Sequence, residues 1–305
     1  FCTYRFPEKH RGIAFSFHQD VKLDISCFQD LSELKITLLN DASFLKSKLL
    51  IIQLNNRDSR VNDIFASICA NIVNSVIDAT SEKEGVRLVT IQMRRWKDLF
   101  SKRRNQKLSA QEQQGLFGEL FFLRKLLLSP IDKASSTGFW VGPEMAPKDF
   151  QGDMWAVEVK TTVAYSHSNI AINGELQLDE SDTDKLYLYH LVVEALPQDG
   201  ETLPEIIASI RQMLKGDIKA ASLFESKLML AGYFDLDEDS YKECHYHIRK
   251  EQYFQVRDEF PRIKKDELKM GVSEVKYNIS LNYSSENKVI EKNVINSIES
   301  YEGNK

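Results

Sequence analysis

The segment Trp155-Ala156-Val157-Glu158-Val159-Lys160-Thr161-Thr162 constrains this chain more than any other. In a strand, successive side chains point to opposite faces. Val157 and Val159 then share a face that can be buried, while Ala156, Glu158, Lys160 and Thr162 share the other. A carboxylate and an ammonium thus stand two residues apart on one surface. Asp149 lies nine residues before Glu158, across an apparent turn at Gln151-Gly152-Asp153. A hairpin of that length brings Asp149 beside Glu158 on the neighbouring strand.

The residues upstream predict a helix. Ser109-Ala110-Gln111-Glu112 is a capping-box pattern, and Pro130 stops the helix after about Leu128. Its stretch Gly115-Leu116-Phe117-Gly118-Glu119 holds two interior glycines, each costing about 0.8 to 1 kcal/mol relative to Ala. Close packing of this helix on a sheet is the expected compensation. Glu119 sits among Leu116, Leu120, Phe122 and Leu123, and an unpaired buried carboxylate is costly. Either Arg124 or a Lys pairs with it at the helix edge, or it faces a metal ion.

Mg²⁺ takes hard oxygen ligands: one or two carboxylates, waters and substrate phosphate oxygens. An ion so held polarises a phosphodiester and lowers the pKa of an attacking water. A neighbouring Lys adds positive charge where the transition state gains negative charge. Asp, Glu and Lys converging on one point are the minimum set for that reaction. The E-x-K tripeptide alone carries little, because Glu274-Val275-Lys276 repeats it at a second expected strand and reads as a solvated face. Asp149 and the glycine-bearing helix set the first copy apart.

This series, a helix with G-x-x-G-E ending at Glu119, then Pro147-Lys148-Asp149, then Glu158-Val159-Lys160, resembles the PD-(D/E)xK nuclease superfamily. More narrowly, the chain is similar to superfamily members encoded in bacterial gene clusters with DNA methyltransferases and phage-defence ATPases. Arg95-Trp96, Gly138-Phe139-Trp140, Gln177-Leu178 and Phe260-Pro261-Arg262-Ile263 fit that group. The resemblance spans most of the chain, although only residues 109–195 bear on catalysis. Lys148 separates Pro147 from Asp149, so the Pro-Asp dipeptide is absent; the superfamily keeps that proline loosely.

The resemblance implies an α/β chain (α+β overall) with a restriction-endonuclease-like core in α-β-β-β-α-β order, a mixed sheet flanked by helices. It implies a Mg²⁺-dependent DNA endonuclease, with Mn²⁺ able to substitute, acting in restriction or phage defence. Asp149 and Glu158 would hold the metal, Glu119 would complete its shell, Lys160 would assist water attack, and Gln177 would be an accessory polar residue. A methyltransferase and an ATPase become expected partners, and a homodimer is expected where two active sites make a double-strand cut. The alternative is a non-catalytic nuclease-fold subunit that binds DNA or serves as a scaffold.

Arg94, Arg95, Lys97, Lys102, Arg103, Arg104 and Lys107 crowd a stretch with Trp96 and one acid, Asp98. Such a run makes sequence-blind, salt-dependent phosphate contacts, or it is the solvated face of a helix and linker. Arg262, Lys264 and Lys265 form a thinner basic group. Other chemistries find no support. Asp235–Asp239 lacks the glycine of a calcium loop, and neither a G-x-x-x-x-G-K-[ST] loop nor a G-x-S-x-G elbow is present.

Periodicity predicts strands over Gly12–Phe17, Leu34–Leu38 and Lys48–Leu54, a helix over Asp63–Ala79, a strand over Val86–Ile91 and a helix over Arg94–Phe100. Lys102–Lys107 reads as a linker and Ile131–Ala146 as a loop. Further on, Leu186–Leu196 reads as a strand, Leu203–Leu230 as helix broken near Gly216, Lys276–Tyr283 as a strand, and the polar tail from Ser284 as loose or marginally helical. The expected organisation is an N-terminal α+β region (1–107), the nuclease-like core (108–196), and a C-terminal α+β region with a polar tail (197–305). The net charge of −5 excludes a molecule basic all over, though not a local basic face. No apolar run reaches the roughly 18 residues of a membrane span. Four scattered cysteines without a C-x-x-C pair fit a reducing, cytoplasmic setting better than a disulfide framework or zinc ribbon. Phe1 rather than Met opens the sequence, which leaves room for preceding residues.

Overall fold

Apolar alternation in the N-terminal third builds a four-stranded antiparallel sheet in the order β1-β2-β4-β3. Its strands are β1 (Cys2–Arg5), β2 (Arg11–His18), β3 (Leu34–Asn40) and β4 (Ser47–Leu54). The structure is a computed structural model; it describes residues 2–5, 11–28, 34–40, 46–54, 59–77, 79–103, 107–163 and 169–302. Contacts divide the chain into two units, Phe1–Lys107 and Leu108–Lys305.

In the first unit, α1 (Ser59–Val76) packs against α2 (Glu82–Arg103). Phe65, Ile68 and Ile72 on α1 and Val89, Met93 and Trp96 on α2 are buried at three- and four-residue spacing, as an amphipathic helix requires. The expected strand at Val86–Ile91 is instead part of α2. Ser81 caps that helix by accepting the Glu84 N–H, and the short apolar run is a buried helical stripe. The expected linker also shortens, since Lys102 and Arg103 end α2; residues 104–106 lie outside the described residues.

The second unit is built on a mixed sheet in the order β12-β10-β8-β6-β5. Its strands are β5 (Phe150–Gln151), β6 (Trp155–Val163), β8 (Lys185–Leu196), β10 (His245–Gln255) and β12 (Lys288–Val289), with β9 (Glu201–Thr202) paired to β10. β5 runs antiparallel to β6, β6 runs parallel to β8, and β10 is antiparallel to β8. Because β8 and β10 are hydrogen-bonded neighbours, residues 108–196 and 197–305 share one sheet and belong to one unit.

One face of this sheet buries Trp155, Val157, Val159, Tyr187, Tyr189 and Leu191 with the apolar sides of the helices. These helices are α3 (Ala110–Leu128), α4 (Lys133–Gly138), α5 (Leu203–Leu214), α6 (Ile218–Leu230) and α7 (Glu291–Glu302). On the opposite face Ala156, Leu186 and Leu188 pack with β7 (Asn169–Ile172) and β11 (Tyr277–Ser280), an antiparallel pair. Along the chain this unit runs α3-α4-β5-β6-β7-β8-β9-α5-α6-β10-β11-β12-α7, an α+β arrangement in which β7 and β11 pair with each other outside the main sheet.

Three local expectations change. Ile131–Ala146 is not simply a loop: Asp132 caps α4 by accepting the Ser135 N–H, and a tight turn follows at Gly142–Glu144. The polar tail carries α7, because Val294 and Ile298, four residues apart, are fully buried in the core. The second E-x-K copy lies before β11 rather than in a strand; Glu274 has a left-handed backbone (φ 56°) and its side chain is exposed.

Candidate active site

The site grows from β6. Its parallel pairing with β8 aligns Glu158 with Leu188 and Lys160 with His190, which puts both charged residues on the face opposite Val157 and Val159. Glu158 is buried, while Lys160 is half-buried. Lys160 Nζ lies 2.7 Å from Glu158 Oε1 and donates to Gln177 Oε1 at 3.0 Å. Gln177 Oε1 also accepts the Asn173 N–H at 2.8 Å, so the loop after β7 holds the amide that orients the lysine. Glu158 Oε2 is buried with no hydrogen-bond partner.

Asp149 precedes the short β5 and reaches β6 through its Oδ2, which accepts the Val159 N–H at 2.8 Å. That bond fixes one carboxylate oxygen, and the other faces Gly142. A Cβ built on Gly142 would lie 2.9 Å from Asp149 Oδ1 and 3.2 Å from Glu119 Oε2. The two carboxylates therefore converge on the space that a side chain at 142 would fill. Glycine keeps that space open.

Glu119 comes from α3, brought close by the preceding residue. A Cβ on Gly118 would come within 1.8 Å of Thr161 Oγ1 on β6, whereas one on Gly115 would meet nothing within 4 Å. Close helix-to-sheet packing thus accounts for Gly118 and not for Gly115. Glu119 pairs with neither Arg124 nor a lysine: the fully buried Trp140 donates its indole N–H to Glu119 Oε2 at 2.7 Å. Arg124 instead makes a two-pronged ion pair with Glu201.

A buried lysine braces this wall. Lys227 of α6 donates to the carbonyls of Gly138 (2.8 Å) and Trp140 (2.5 Å) and lies 3.1 Å from Glu144. Lys148, also buried, pairs with Asp182 at 2.8 Å. On the same face of α3 as Gly118, Gln114 donates to the Thr161 carbonyl at 2.6 Å. The expected site residues Asp149, Glu158, Lys160, Glu119 and Gln177 thus come together. Sequence reasoning missed the supporting Trp140, Gly142, Lys148 and Lys227. Trp140 lies two residues after Gly138 in a segment already singled out, but nothing local announced its bond to Glu119.

Electrostatics reflect three acids and one nearby base. Burial, then the charge of Asp149, raises Glu119 well above the ordinary glutamate value, against the pull of the Trp140 indole. Burial also raises Asp149, opposed by Lys160 and the Val159 N–H. Glu158 is pushed up to about 8 by burial and by Asp149, despite Lys160. Burial draws Lys160 down, yet Glu158 and Asp149 outweigh it and hold the ammonium above its ordinary value. The cluster has excess negative charge that a cation would relieve.

The basic run maps to the other unit. Arg94 is exposed on α2, while Arg95 and Lys97 are half-buried there. Lys102 and Arg103 end the helix, Arg104 lies outside the described residues, and Lys107 is exposed. Trp96 is a core residue, 1% exposed, and donates to Asn71 Oδ1 at 3.4 Å. Its ring is not available to stack on a base.

A mixed sheet carrying Glu158 and Lys160, with Asp149 just before its edge strand β5 and Glu119 delivered by the preceding helix, defines a nuclease-like protein of the PD-(D/E)XK class. A family model described as "Putative PD-(D/E)XK family member" matches residues 1–282, and the chain belongs to that family. No curated protein and no solved structure matches it. Among the described residues, no helix is long and apolar enough to cross a membrane.

Proposed function

We propose that this chain is a Mg²⁺-dependent endonuclease that hydrolyses DNA phosphodiester bonds, with Mn²⁺ able to replace Mg²⁺. Restriction of foreign DNA is its proposed setting, with a DNA methyltransferase and an ATPase as partners. The observation that carries the reading is the convergence of Asp149 Oδ1 and Glu119 Oε2 on the space kept open by Gly142, beside a Glu158 and Lys160 pair on one strand face.

The residues fit a hard divalent cation. Their donors are carboxylate oxygens, and one of them, Glu158 Oε2, is buried without a partner. Among the described residues, no three His, Cys, Asp or Glu side chains stand together so as to hold a metal ion. Mg²⁺ needs only one or two protein carboxylates, since waters and substrate phosphate oxygens complete its shell. Asp149 and Glu158 would hold the ion, with Glu119 next to them. The chemistry such an ion supplies when bound is polarisation of the scissile phosphate and a lowered pKa of the attacking water.

The chain's own groups do the rest. Lys160 presents its ammonium where the phosphorus centre gains negative charge, and a preorganised donor in a half-buried site is worth more than one in water. Gln177 aims that ammonium by accepting one of its hydrogens. Val159 locks the Asp149 carboxylate through its backbone N–H, and Trp140 does the same for Glu119 through its indole.

The test is cleavage of plasmid and linear DNA with Mg²⁺ or Mn²⁺, and with EDTA as control. Asp149→Asn and Lys160→Met should each lower the rate by about 100-fold or more. Undiminished cleavage by both variants, or DNA retention without cleavage under every divalent ion, would reject the proposal; the latter would identify a non-catalytic DNA-binding subunit.

A further inference from the structure

The two units differ sharply in charge. Residues 1–107 contain 18 Lys and Arg against 12 Asp and Glu, a net of +6; the remaining residues contain 22 against 33, a net of −11. A strongly acidic unit repels a polyanion over distances of about the Debye length, ~8 to 10 Å at physiological salt. The unit that bears the candidate active site therefore opposes approach of its own proposed substrate. The N-terminal unit has the opposite sign.

That unit also has a place for the charge to act. Its open cleft, of about 930 Å³, runs along α2 and is lined by Lys22, Lys83, Arg87, Thr90 and Arg94, with Asp20 and Glu84 as its acids. Positions 83, 87, 90 and 94 follow the spacing of a single helix face, and at 1.5 Å per residue the row is about 16 Å long. Lys22, Lys83, Arg87 and Arg94 are all exposed. Among the described residues, none of the four has a carboxylate at ion-pair distance.

Both acids are engaged locally. Glu84 Oε2 accepts the Thr80 N–H and hydroxyl at 2.9 and 2.6 Å, bracing the start of α2. Asp20 Oδ2 lies 3.2 Å from His18 Nδ1. Arg87 has Glu84 and Arg94 has Asp24 within electrostatic reach, yet four exposed cations against two lining acids leave the groove net positive, a site for a linear polyanion. A lone small anion would need only one or two of them.

We propose that this cleft binds the phosphodiester backbone of DNA without reading its sequence, and supplies affinity that the acidic unit lacks. Its role as a substrate-holding surface rests on the nuclease reading; the binding itself does not. Lys22, Lys83, Arg87 and Arg94 each contact phosphate, with the Thr90 hydroxyl as a neutral donor between them.

The experiment is fluorescence anisotropy of labelled DNA duplexes of two unrelated sequences with the full chain in EDTA, across a salt series. Lys83→Gln, Arg87→Gln and Arg94→Gln are combined in one variant, and Arg87→Lys with Arg94→Lys in a second that keeps the charge. Loss of three phosphate contacts lowers the slope of log K against log salt by about 2.7. Between about 50 and 200 mM salt, the wild type should therefore lose about 40-fold more affinity than the neutralised variant. The charge-keeping variant should retain the wild-type slope, and the two duplexes should bind alike. An unchanged slope in the neutralised variant overturns the inference, as does an equal loss in the charge-keeping one. Intact, salt-sensitive binding without cleavage would sink only the nuclease reading, and cleavage with unaltered binding by the neutralised variant would sink only this one.

Discussion

Two glycines of one helix make opposite predictions when each is replaced by alanine. Gly115 and Gly118 both lie inside α3, so helix propensity alone credits either substitution with about 1 kcal/mol of stabilisation. At Gly115 the new Cβ meets nothing within 4 Å, and the full gain should appear. At Gly118 the new Cβ falls 1.8 Å from Thr161 Oγ1, 3.1 Å from its Cβ and 3.5 Å from its Cγ2. Rotating Thr161 removes the first clash and leaves the second, because Cβ does not move with χ1. Overpacking of this kind costs about 1 to 3 kcal/mol. The propensity gain is common to both variants, so their difference isolates the cost of pushing α3 off β6. Each kcal/mol is worth about 2 to 4 °C in a unit of this size. Gly118→Ala should therefore melt about 2 to 12 °C below Gly115→Ala, followed by circular dichroism or calorimetry. Adding Thr161→Ala to Gly118→Ala, which removes Oγ1 and Cγ2, should recover part of the loss. If Gly118→Ala melts as high as Gly115→Ala, the close approach of α3 to β6 is not what requires the glycine.

Two further outcomes test the site. Glu158 is raised from 4.5 to about 8 by burial and by Asp149. A carboxyl raised in the folded state contributes stability that is fully present below its unfolded value and is lost as pH rises through the folded one. In EDTA, Glu158→Gln should gain on the wild type steadily between those two values and hold level above them, and a melting-temperature difference flat across that window would show that Glu158 is not in a strained acidic cluster. Trp140→Phe keeps the ring and removes the donor 2.7 Å from Glu119. Mn²⁺ affinity, read by titration, should fall by about 10- to 100-fold, and unaltered affinity would reduce Trp140 to a packing residue.

Much of the site was legible because its residues sit on one regular element. The alternation in Trp155–Val163 is enough to put Glu158 and Lys160 on one face, and the strand has those bounds. The Ser109 capping box and Pro130 bracket α3 as expected. Other features failed for a common reason. Val86–Ile91 is a short apolar run that suits a strand or one turn and a half of helix, and only burial of Val89, Met93 and Trp96 on one side of α2 separates the two. Glu274-Val275-Lys276 has the same letters as the strand copy, yet its backbone turns left-handed.

Local pattern by itself determined which side chains share a face, where the long helix starts and stops, and which tripeptide had an aspartate within hairpin reach. Tertiary structure alone decided what stands opposite those faces: Trp140 against Glu119, Gly142 between Asp149 and Glu119, Lys227 bracing the wall from α6, and β10 joining the C-terminal third to the same sheet. The physical reason is range. Periodicity is set by backbone geometry over a few residues, whereas a partner 20 to 90 positions away, as Trp140 is from Glu119 or Lys227 from Gly138, is chosen by how whole elements pack and cross.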